Sequence, residues 1–509
     1  MKEEQENGQK QEKKGLKKIL IVTAFPTEGA GSGTLITTQA KSYIKRGYDV
    51  EIITANNRTN FKKIPGVNYV VVPFTGETEN PEVIPGQLPF NYPMYKTHTE
   101  SKGNFWNLDF DQVVMYTKKF KEIIDKEVKK FQPDVIHAQH LWIASDLCTK
   151  TDYPTIITIH GTDLMGYEKS LKALEQIKDG TYEKNGRKLK ESEINDEIKK
   201  YQTYIASAKE SAKNAQRIIV ISNDQKKQFE KLFPEASDKV EFIKNGYSPD
   251  VFYKITDMSQ KEIKEKAFEG LYDQTEKGEK TGREIPKDFD NLILFVGKFA
   301  DFKGIDDLIS AEKKYSAEFE KEGKKVITVI VGSGDQGDKL REQAKDSKNI
   351  YFVGRQPQDK INLLQNCSTI SCIPSRDEPF GLVVIEGTAT GHPVIGTESG
   401  GIPDIMASKE EETVYKNGNN YVKKVPLGYM IPKDSPESLA EAVERIVNEK
   451  DKFNNQEIAE YTKQNYNQDV ITDQILEAFN DTIQTKKRDC SNKGGIKGKK
   501  NKENDGICL

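Results

Sequence analysis

The predicted fold starts from a continuous apolar run near the N-terminus, Lys18-Ile-Leu-Ile-Val-Thr-Ala-Phe-Pro26. An apolar run without polar alternation is typical of a parallel strand that is covered on both faces. Three glycines follow (Gly29, Gly31 and Gly33), and then come a helical pattern over 34–46 and a second strand over 49–54. A strand, a glycine-rich loop, a helix and another strand in this order predict the start of a doubly wound α/β domain.

The alternation of strands and helices continues and then restarts in the second half of the chain. Further strands of the first series are predicted over 67–73, 134–138, 155–160, 217–222 and 240–244. Strands of the second series are predicted over 292–297, 326–332, 350–354, 369–374 and 394–396. Two successive series of this kind predict two Rossmann-like, doubly wound domains that face each other across a cleft.

These patterns and the local composition divide the chain into five segments. The predicted segments are a disordered leader (1–16), an N-terminal Rossmann-like domain (17–252) with a helical insertion at about 167–204, a C-terminal Rossmann-like domain (253–455) with a charged insertion at about 261–288, a C-terminal helix that returns to the N-terminal domain (456–485), and a basic tail (486–509). The tail has eight Lys or Arg against three Asp or Glu and almost no apolar residues, so we expect it to be disordered.

The composition of the 509-residue chain narrows the class of protein. Lys and Arg number 77 against 80 Asp and Glu, so no overall positive charge attracts nucleic acid, and we expect at most a peripheral membrane contact. No run approaches the ~20 apolar residues of a membrane-spanning helix, and the N-terminus lacks the apolar stretch of a signal peptide. The five cysteines show no disulfide or metal-binding spacing. These features predict a cytoplasmic protein.

The most informative candidate site is the stretch Ser375-Arg-Asp-Glu378-Pro-Phe-Gly381-Leu-Val-Val-Ile-Glu386 in the second series. A predicted strand ends before it and a helix opens at Gly381, so free amides near Gly381 and Leu382 suit a phosphate or sugar hydroxyls. Glu386 lies about one and a half turns into this helix and can accept hydrogen bonds from a ribose diol. The alternative is that Glu378 caps the helix and that Glu386 is merely solvated.

This stretch resembles the Glu-x7-Glu signature of the family 4 retaining glycosyltransferases. The resemblance covers roughly residues 17–480, because other family landmarks occur in the family's order. They are Asp134-Val-Ile-His137, Ile159-His160-Gly-Thr162, Lys244-Asn245-Gly246 with Phe252, Phe295-Val-Gly297-Lys298 with Lys303-Gly304, Val331-Gly-Ser-Gly334 and Gly400-Gly401.

The resemblance implies a GT-B fold, a nucleotide-sugar donor bound by the C-terminal domain, an acceptor domain at the N-terminus and no essential metal. Lys298 stands where the family usually has Arg, which keeps the charge but loses the bidentate geometry. The implied donor contacts are Glu386 to the ribose hydroxyls, Glu378 and the amides of Phe380, Gly381 and Leu382 to the hexose and distal phosphate, and Lys298 and Lys303 to the diphosphate.

The resemblance also assigns residues of the N-terminal domain to the donor. The glycine-rich loop, with Gly31 and Gly33, would bring backbone amides to the diphosphate, and a tight turn is the alternative role of these glycines. His160 resembles the family histidine that contacts the donor sugar, with a buried structural histidine as the alternative. We therefore expect His160, Lys303 and Glu378 to carry the reaction.

The candidate acceptor contacts are His137, Asp163, Tyr92 and Trp106. The two aromatic residues lie in a loop with Phe90, Tyr95 and Phe105, and such rings can stack on sugar faces or simply pack. His137 and His140 have no third ligand near them in the sequence, so no metal site is predicted.

The implied reaction moves a hexose or N-acetylhexosamine from a nucleotide-diphosphate sugar, with a UDP-sugar as the first choice, to an acceptor hydroxyl. In a front-face substitution the donor phosphate helps to deprotonate the acceptor as the sugar–phosphate bond breaks, without a protein nucleophile. The nucleotide sugar is a substrate, so no cofactor is expected. Glycans, lipids, small molecules and proteins all stay open as acceptors, and so does the oligomeric state.

Three other functions stay open as alternatives. Gly332-Ser-Gly334-Asp-Gln-Gly337 matches the G-x-G-x-x-G pattern of NAD-type oxidoreductases, but it does not open its series and no ribose-binding acid ends the next strand. Another GT-B enzyme, such as a sugar-nucleotide epimerase or a phosphorylase, would share the fold. A non-catalytic sugar-binding protein would share it too.

Overall fold

The computed structural model describes residues 16–28, 31–76, 82–95, 103–184, 186–449 and 453–496, and these residues form two compact units. Unit 1 takes in the described parts of Met1–Ile219, Glu230–Glu241 and Asp473–Leu509, and unit 2 takes in those of Val220–Phe229 and Phe242–Thr472. The last residue of unit 1 before the second series is Glu241, eleven residues before the predicted boundary at 252. An earlier segment, Val220–Phe229, already belongs to unit 2.

The first series forms a seven-stranded sheet in the order β3-β2-β1-β4-β5-β8-β9. Its elements are β1 (Lys18–Thr23), α1 (Gly31–Lys45), β2 (Asp49–Asn56), β3 (Val67–Pro73), α2 (Phe110–Phe131), β4 (Val135–Gln139), α3 (Ile143–Thr149), β5 (Thr155–Thr158), α4 (Thr162–Lys178), β6 (Glu183–Lys184), β7 (Arg187–Lys188), α5 (Glu191–Asn214), β8 (Arg217–Val220), α6 (Asn223–Leu232) and β9 (Val240–Phe242). β6 and β7 pair only with each other, as a small hairpin.

The opening strand lies near the middle of this sheet, as its apolar sequence predicts. It pairs in parallel with β2 on one side and with β4 on the other, and the side chains from Ile19 to Val22 are fully buried. A strand that is covered on both faces needs apolar residues at consecutive positions, which explains why the run shows no alternation.

The second series forms an eight-stranded sheet in the order β12-β11-β10-β13-β14-β17-β16-β15. Its elements are α7 (Gln260–Phe268), β10 (Asn291–Val296), α8 (Ile305–Lys321), β11 (Val326–Val331), α9 (Gly337–Gln343), β12 (Ile350–Phe352), α10 (Gln358–Cys367), β13 (Ile370–Ile373), α11 (Leu382–Ala389), β14 (Val394–Thr397), α12 (Ile402–Met406), β15 (Glu412–Asn417), β16 (Asn420–Val425), β17 (Gly428–Ile431), α13 (Pro436–Glu449), α14 (Asn455–Tyr466) and α15 (Gln468–Ile496).

In both sheets the strand order reverses beside the first strand of the series. The reversal lies between β1 and β4 in unit 1 and between β10 and β13 in unit 2. In open parallel sheets ligands bind outside the carboxyl ends of the strands at such a reversal, because the two flanking connections leave on opposite faces and open a crevice. A ligand of unit 2 is therefore expected at the loops after β10 and β13.

Two parts of unit 2 differ from the sequence prediction. The strands β15 and β16 were not predicted, because the antiparallel hairpin over 412–425 has only two buried side chains, Val422 and Val425, and no apolar run. The short strand β17 was not predicted either, although it is fully buried and pairs in parallel with β14. The charged insertion at about 261–288 is not a separate addition. It contains α7, which packs on α10, and a turn whose Gln274 amide donates to the carbonyl of Phe352 in the edge strand β12.

The C-terminal segment is divided between the two units. α14 packs on α11 and belongs to unit 2, whereas α15 belongs to unit 1 from Asp473 onward and places Phe479 against the ring of Tyr43. The return to the first unit therefore begins later than the predicted position 456. α15 also continues to Ile496, so the first eleven residues of the predicted disordered tail are helical. The remainder of the tail and the predicted leader, apart from Leu16, lie outside the described residues.

The helical insertion predicted at about 167–204 is part of the core of unit 1. Lys200 on α5 is fully buried, forms an ion pair with Glu197 at 2.7 Å, and donates to the carbonyl oxygens of Trp106 and Leu108. Lys184 of the β6–β7 hairpin pairs with the same carboxylate at 2.6 Å. Burial lowers the pKa of Lys200 to about 8, yet the contacts with Glu197 and the two carbonyls compensate for much of the lost hydration. The insertion thus holds the loop that ends at Leu108.

Replacement of Lys200 by Met should destabilise unit 1 by about 3 kcal/mol or more, because the carbonyls of Trp106 and Leu108 and the carboxylate of Glu197 each lose a buried, charged donor. Lys199→Met is the matched control, since the neighbouring Lys199 is exposed: its ammonium group makes a surface ion pair with Asp196 at 3.3 Å and lies 5.6 Å from the centre of the Phe110 ring, and the replacement should cost less than ~1 kcal/mol. Thermal unfolding monitored by the tryptophan fluorescence of Trp106 and Trp142 compares the two. Equal unfolding midpoints would show that Lys200 does not hold the loop.

Candidate functional site

Two helix N-termini flank the reversal of strand order in unit 2. After β10 the chain makes a short 3-10 turn over Asp301–Lys303, and α8 begins after Gly304; after β13 it forms the 374–381 loop, and α11 begins after Gly381. Within the described part of the chain, neither helix has a side chain that caps its first amides. Uncapped amides and the positive end of the helix dipole attract anions, so this edge of the sheet suits a phosphate group.

The two loops meet in an ion pair between Lys303 and Glu378. The Lys303 Nζ atom lies 2.5 Å from the Glu378 Oε2 atom, and the side chains are 17% and 12% exposed. In this structure the ammonium charge of Lys303 is therefore balanced by a carboxylate of its own chain. An anionic ligand has to compete with Glu378 for Lys303, and the released carboxylate can then accept hydrogen bonds from hydroxyl groups.

The position of Glu378 depends on the Gly400-Gly401 pair that follows β14. The amide of Gly401 donates to the carbonyl oxygen of Glu378 at 2.8 Å. Gly400 has a φ of +54°, and a Cβ atom there would lie 2.0 Å from the same oxygen. A larger residue at position 400 would push the Glu378 backbone away, so this glycine has a steric reason. Phe380, next to Pro379, is 2% exposed and lies in the core of unit 2, with its backbone against Gly401.

Glu386 lies in the second turn of α11 and is half-buried. Burial, with a further contribution from the negative charge of Glu378, raises the pKa of Glu386 to about 7. Among the described residues no side chain or amide donates to its carboxylate. The sequence alternative, in which Glu386 is a solvated surface residue, does not describe this environment. A partly buried carboxyl group without a donor is suited to accept the hydroxyl groups of a ligand.

The other donor residues assigned from the sequence lie in the same two loops. Lys298 is exposed, two residues after β10, and within the described part of the chain its ammonium group has no carboxylate partner. Gly381 is the residue before α11, and Leu382 is the first residue of that helix and is half-buried. The structure therefore brings Lys303 and Glu378 into contact, and it places Lys298, Gly381, Leu382 and Glu386 in the two connections that leave β10 and β13.

In unit 1, His160 lies in the short connection between β5 and α4. It is 8% exposed, and its Nε2 atom donates to the side-chain oxygen of Gln139, the last residue of β4, at 2.9 Å. Burial lowers the pKa of His160 to about 4, so the imidazole is neutral at pH 7. Its neighbour His140 has a left-handed backbone with a φ of +69°, and neither of its ring nitrogens has a hydrogen-bond partner. Strain and unsatisfied polar atoms of this kind cluster at functional sites.

Two of the proposed acceptor residues are buried in unit 1. His137 is fully buried, shares a 2.7 Å hydrogen bond with the hydroxyl of Thr158, and lies against the ring of Phe479. Asp163 is 1% exposed, and its carboxylate accepts the amides of Leu141 and His160. Both side chains are buried and bonded to groups of unit 1, which favours a structural role, and their assignment to an acceptor stays a prediction.

The aromatic residues proposed to stack on an acceptor also pack inside unit 1. Tyr92 is 2% exposed and lies edge-on to Phe74. Trp106 is half-buried, and its ring is stacked on Tyr201 while the ammonium group of Lys169 lies 4.5 Å from its centre. The packing alternative is therefore the correct one for Tyr92, and the faces of Trp106 already have partners from this chain.

The glycine-rich loop of unit 1 is described only in part, because Gly29 lies outside the described residues. Gly31 is the exposed first residue of α1, and a Cβ atom there would contact nothing. Gly33 is buried in the first turn, where a Cβ atom would lie 2.8 Å from the carbonyl oxygen of Pro26. The tight approach at Gly33 fits the alternative in which this glycine serves a tight turn. The contact between the amide of Gly31 and the diphosphate stays a proposal.

In the loop after β11, which carries the G-x-G-x-x-G match, a backbone amide is already bonded to Glu276, a residue that was not predicted to belong to a site. The amide of Gly334 donates to the carboxylate of Glu276 at 2.8 Å, and Arg341 pairs with the same carboxylate at 2.6 Å. An amide that already binds a carboxylate is not open to a pyrophosphate, which argues against the oxidoreductase alternative. No sequence signal identified Glu276, since it lies 58 residues from Gly334 in a charged segment.

The described residues include neither a cluster suited to a metal ion nor a helix suited to cross a membrane. No three His, Cys, Asp or Glu side chains lie together in an arrangement that could hold a metal ion. None of the helices in this part of the chain combines the length and the apolar character needed to cross a membrane.

Comparison with protein families gives two matches that together span most of the described chain. The family model "Glycosyltransferase Family 4" matches residues 29–251, and the model "Glycosyl transferases group 1" matches residues 277–465. Among curated proteins, an uncharacterized glycosyltransferase of Methanocaldococcus jannaschii, MJ1607, is 28% identical over 236 residues, which are 46% of this chain and 51% of that protein. The chain spans about half to two thirds of the length of the curated relatives it matches.

Solved structures with a similar fold cover nearly the whole chain. The sucrose-phosphate synthase of Thermosynechococcus elongatus has a TM-score of 0.59 at 16% identity and covers 91% of this chain and 98% of its own. Anabaena Alr3699/HepE, in complex with UDP and glucose, has a TM-score of 0.56 at 14% identity, with coverages of 91% and 99%. At these identities the likeness concerns the fold alone, and it confirms the predicted GT-B fold of two Rossmann-like domains.

We expect Gly400→Ala to destabilise unit 2 by about 3 kcal/mol, because the new methyl group both strains the backbone and collides with the carbonyl of Glu378. Gly418→Ala is the matched control: Gly418 also has a positive φ, of +60°, but a Cβ atom there meets nothing. The control should cost only the ~1 kcal/mol of backbone strain. Differential scanning calorimetry measures both, and equal losses would mean that the 400–401 turn does not support Glu378.

Glu386→Gln should stabilise the protein at pH 8 but not at pH 5. The pKa of Glu386 is raised to about 7 in the folded state, so the folded state holds a proton that the unfolded chain releases above its ordinary value of 4.5. The free energy of unfolding of the wild type therefore falls as the pH rises from about 5 to 7, and the uncharged glutamine avoids this loss. We expect a Tm that is higher by about 2–4 °C at pH 8. A difference that is independent of pH would contradict the raised pKa.

Proposed function

The chain belongs to the family 4, group 1 glycosyltransferases, and we propose that it is a retaining enzyme that transfers a hexose or N-acetylhexosamine from a nucleotide-diphosphate sugar to an acceptor hydroxyl. The observation that carries the proposal is the Lys303–Glu378 ion pair at the reversal of strand order, between two uncapped helix N-termini. A cation and helix amides suit a diphosphate, and a carboxylate beside them suits sugar hydroxyls.

Each part of a nucleotide sugar has a counterpart among the residues of unit 2. Glu386, which lacks a donor among the described residues, accepts hydrogen bonds from the ribose diol. Lys303 and the exposed Lys298 balance the charge of the diphosphate. Glu378, released from Lys303 when the diphosphate binds, accepts hydroxyl groups of the hexose. The backbone amides of Phe380, Gly381 and Leu382 contact the hexose and the distal phosphate.

The reaction follows from where charge develops. The bond between the anomeric carbon and the diphosphate breaks while the acceptor oxygen bonds to the same face of that carbon, and the acceptor proton passes to the departing phosphate oxygen. Negative charge on the leaving diphosphate increases along this path, so fixed cations and helix N-termini stabilise the transition state more than the bound donor. The protein supplies no nucleophile, and the configuration of the sugar is retained.

Other parts of the proposal rest on the family resemblance. It assigns contacts with the donor to the neutral imidazole of His160 and to the backbone amide of Gly31, with Gly33 shaping the turn. The resemblance implies no essential metal, and no cofactor is expected because the nucleotide sugar is a substrate. The choice of a UDP-sugar is supported by the fold relative Alr3699/HepE, whose structure contains UDP and glucose. The acceptor is a glycan, a lipid, a small molecule or a protein.

Thermal stabilisation by UDP-glucose, UDP-GlcNAc and GDP-mannose tests the donor. At a concentration one hundred times Kd, a donor raises the free energy of unfolding by about 2.7 kcal/mol, and we expect one of the three to raise Tm by several degrees. Glu386→Ala should remove most of this shift, because the ribose hydroxyls lose their acceptor. Failure of all three compounds to stabilise the wild type would contradict the proposed donor class.

Hydrolysis of the stabilising donor, followed by release of the nucleoside diphosphate, tests the role of Lys303. We expect Lys303→Ala to lower the rate by at least about 100-fold, since a cation at the leaving group is lost. Lys321→Ala is the matched control, because Lys321 forms a surface ion pair with Glu318 at the far end of α8. Unchanged turnover in Lys303→Ala would show that the site assignment is wrong.

A further inference from the structure

A second cation, Arg376, lies at the centre of the loops that form the Lys303–Glu378 pair. Its guanidinium group forms a bidentate ion pair with Asp306, at 2.7 and 2.8 Å, and a further one with Asp307 at 2.9 Å. The Nε atom donates to Asp434, and Nη1 also donates to the carbonyl oxygen of Asp301 at 2.7 Å. The side chain is only 20% exposed, so it is held from several sides.

The backbone of Arg376 continues the same network. Its amide donates to the carbonyl of Phe302 at 2.8 Å, and its carbonyl accepts the hydroxyl of Ser399 at 2.7 Å. Arg376 itself lies in the connection after β13. Its bonds thus join this connection to the ones that follow β10, β14 and β17. All four strands are neighbours in the parallel part of the sheet.

The chemistry of this contact set requires an arginine. The guanidinium group has five N–H donors in one plane, and in this structure its three nitrogens serve five acceptor atoms. A lysine keeps the charge but has a single nitrogen with three donors, so it cannot hold Asp306 bidentately and reach the other partners. The role of Arg376 could not be predicted from the sequence, because its partners lie about 60 to 75 positions away.

Two short backbone segments connect this network to the ion pair. Lys303 follows Phe302 directly, and Phe302 is bonded to the amide of Arg376. Glu378 comes two residues after Arg376. Since each charged group is within two residues of a bond made by Arg376, the guanidinium network determines how far apart the two loops lie.

We propose that Arg376 is a positioning residue, which holds the loop of Lys303 against the loop of Glu378 at the spacing that a sugar diphosphate requires. The inference rests on the proposed function, because it takes Lys303 and Glu378 as the groups that hold the donor. Arg376 itself touches no part of the donor. Its contribution is geometric: a displacement of about 1 Å in groups that contact the reacting atoms can lower kcat by about 100-fold.

The kinetic test compares Arg376→Gln and Arg376→Lys with the wild type, using hydrolysis of UDP-glucose and the binding of UDP. We expect Arg376→Gln to lower kcat by about 100-fold and to raise the Kd of UDP by a smaller factor, because the displaced Lys303 contacts the diphosphate whereas Glu386 keeps its place on α11. Arg376→Lys should restore part of the loss and lower kcat by about tenfold. A role in stability alone would lower Tm and leave kcat at 25 °C unchanged, which would overturn the proposal.

Two further variants make the test robust against a loss of folding. Asp434→Asn removes only the most exposed of the three carboxylates and keeps a residue that tolerates the left-handed φ of +56° at this position. It should lower kcat by about threefold to tenfold. Arg445→Lys is the control, because Arg445 pairs only with Glu441 on the same helix, at 2.6 Å, and it should leave kcat unchanged.

Crystal structures of full-length Arg376→Lys and Asp434→Asn give a result that does not depend on the donor. We expect the Lys303 Nζ and Glu378 Oε2 atoms to separate beyond 4 Å in Arg376→Lys, from 2.5 Å in the parent chain. An intact pair in that variant would overturn the positioning role. If the wild type neither binds UDP nor hydrolyses UDP-glucose while the pair still separates in the variant, the inference holds and the UDP-sugar form of the proposed function fails.

Discussion

A lysine and a glutamate that are largely shielded from water must pair with each other or with a ligand, because an isolated charge loses its hydration without compensation. The loops after β10 and β13 bring Lys303 and Glu378 to 2.5 Å under this constraint. In the proposed function, Lys303 is the cation that binds the phosphates of a sugar diphosphate, and Glu378 is the acceptor for its hydroxyl groups. Under the same proposal, a donor would replace Glu378 as the partner of Lys303 and offer hydroxyl groups to Glu378.

The surroundings of this pair are built to keep its geometry. Gly400 and Gly401 lie so close to the backbone of Glu378 that no side chain fits between them, and Arg376 ties four connections of the sheet together. Neither device touches the proposed donor. Both act on the loops, where flexibility would otherwise spread the positions of the charged groups. The raised pKa of Glu386 follows from the same compactness, since burial and the neighbouring carboxylate both oppose its ionisation.

Much of the parallel architecture could be predicted from sequence, because a strand covered on both faces is apolar at consecutive positions, as in β1 and β11. The hairpin β15–β16 could not, since one face is exposed and its residues are mostly polar. The site predictions divide in the same way. Lys303, Glu378 and Glu386 follow a spaced motif in loops and a helix start, whereas Tyr92 and Trp106 were assigned by residue type. Residue type does not tell a buried aromatic ring or a buried carboxylate from a ligand contact.

The amino-acid sequence alone determined that the chain forms two doubly wound α/β units of the GT-B class and which loop carries the paired glutamates, because hydrophobic periodicity and a short motif are local properties. Tertiary structure decided which charges meet. Arg376 with Asp434 and Gly400 with Glu378 are separated by about 20 to 60 positions, and their contacts exist because parallel strands bring their carboxyl ends to one edge. Glu276 reaches Gly334 across 58 positions from the segment between α7 and β10. Tertiary structure also decided that the aromatic loop of unit 1 is core, since α5 covers it with Lys200, Tyr201 and Tyr204.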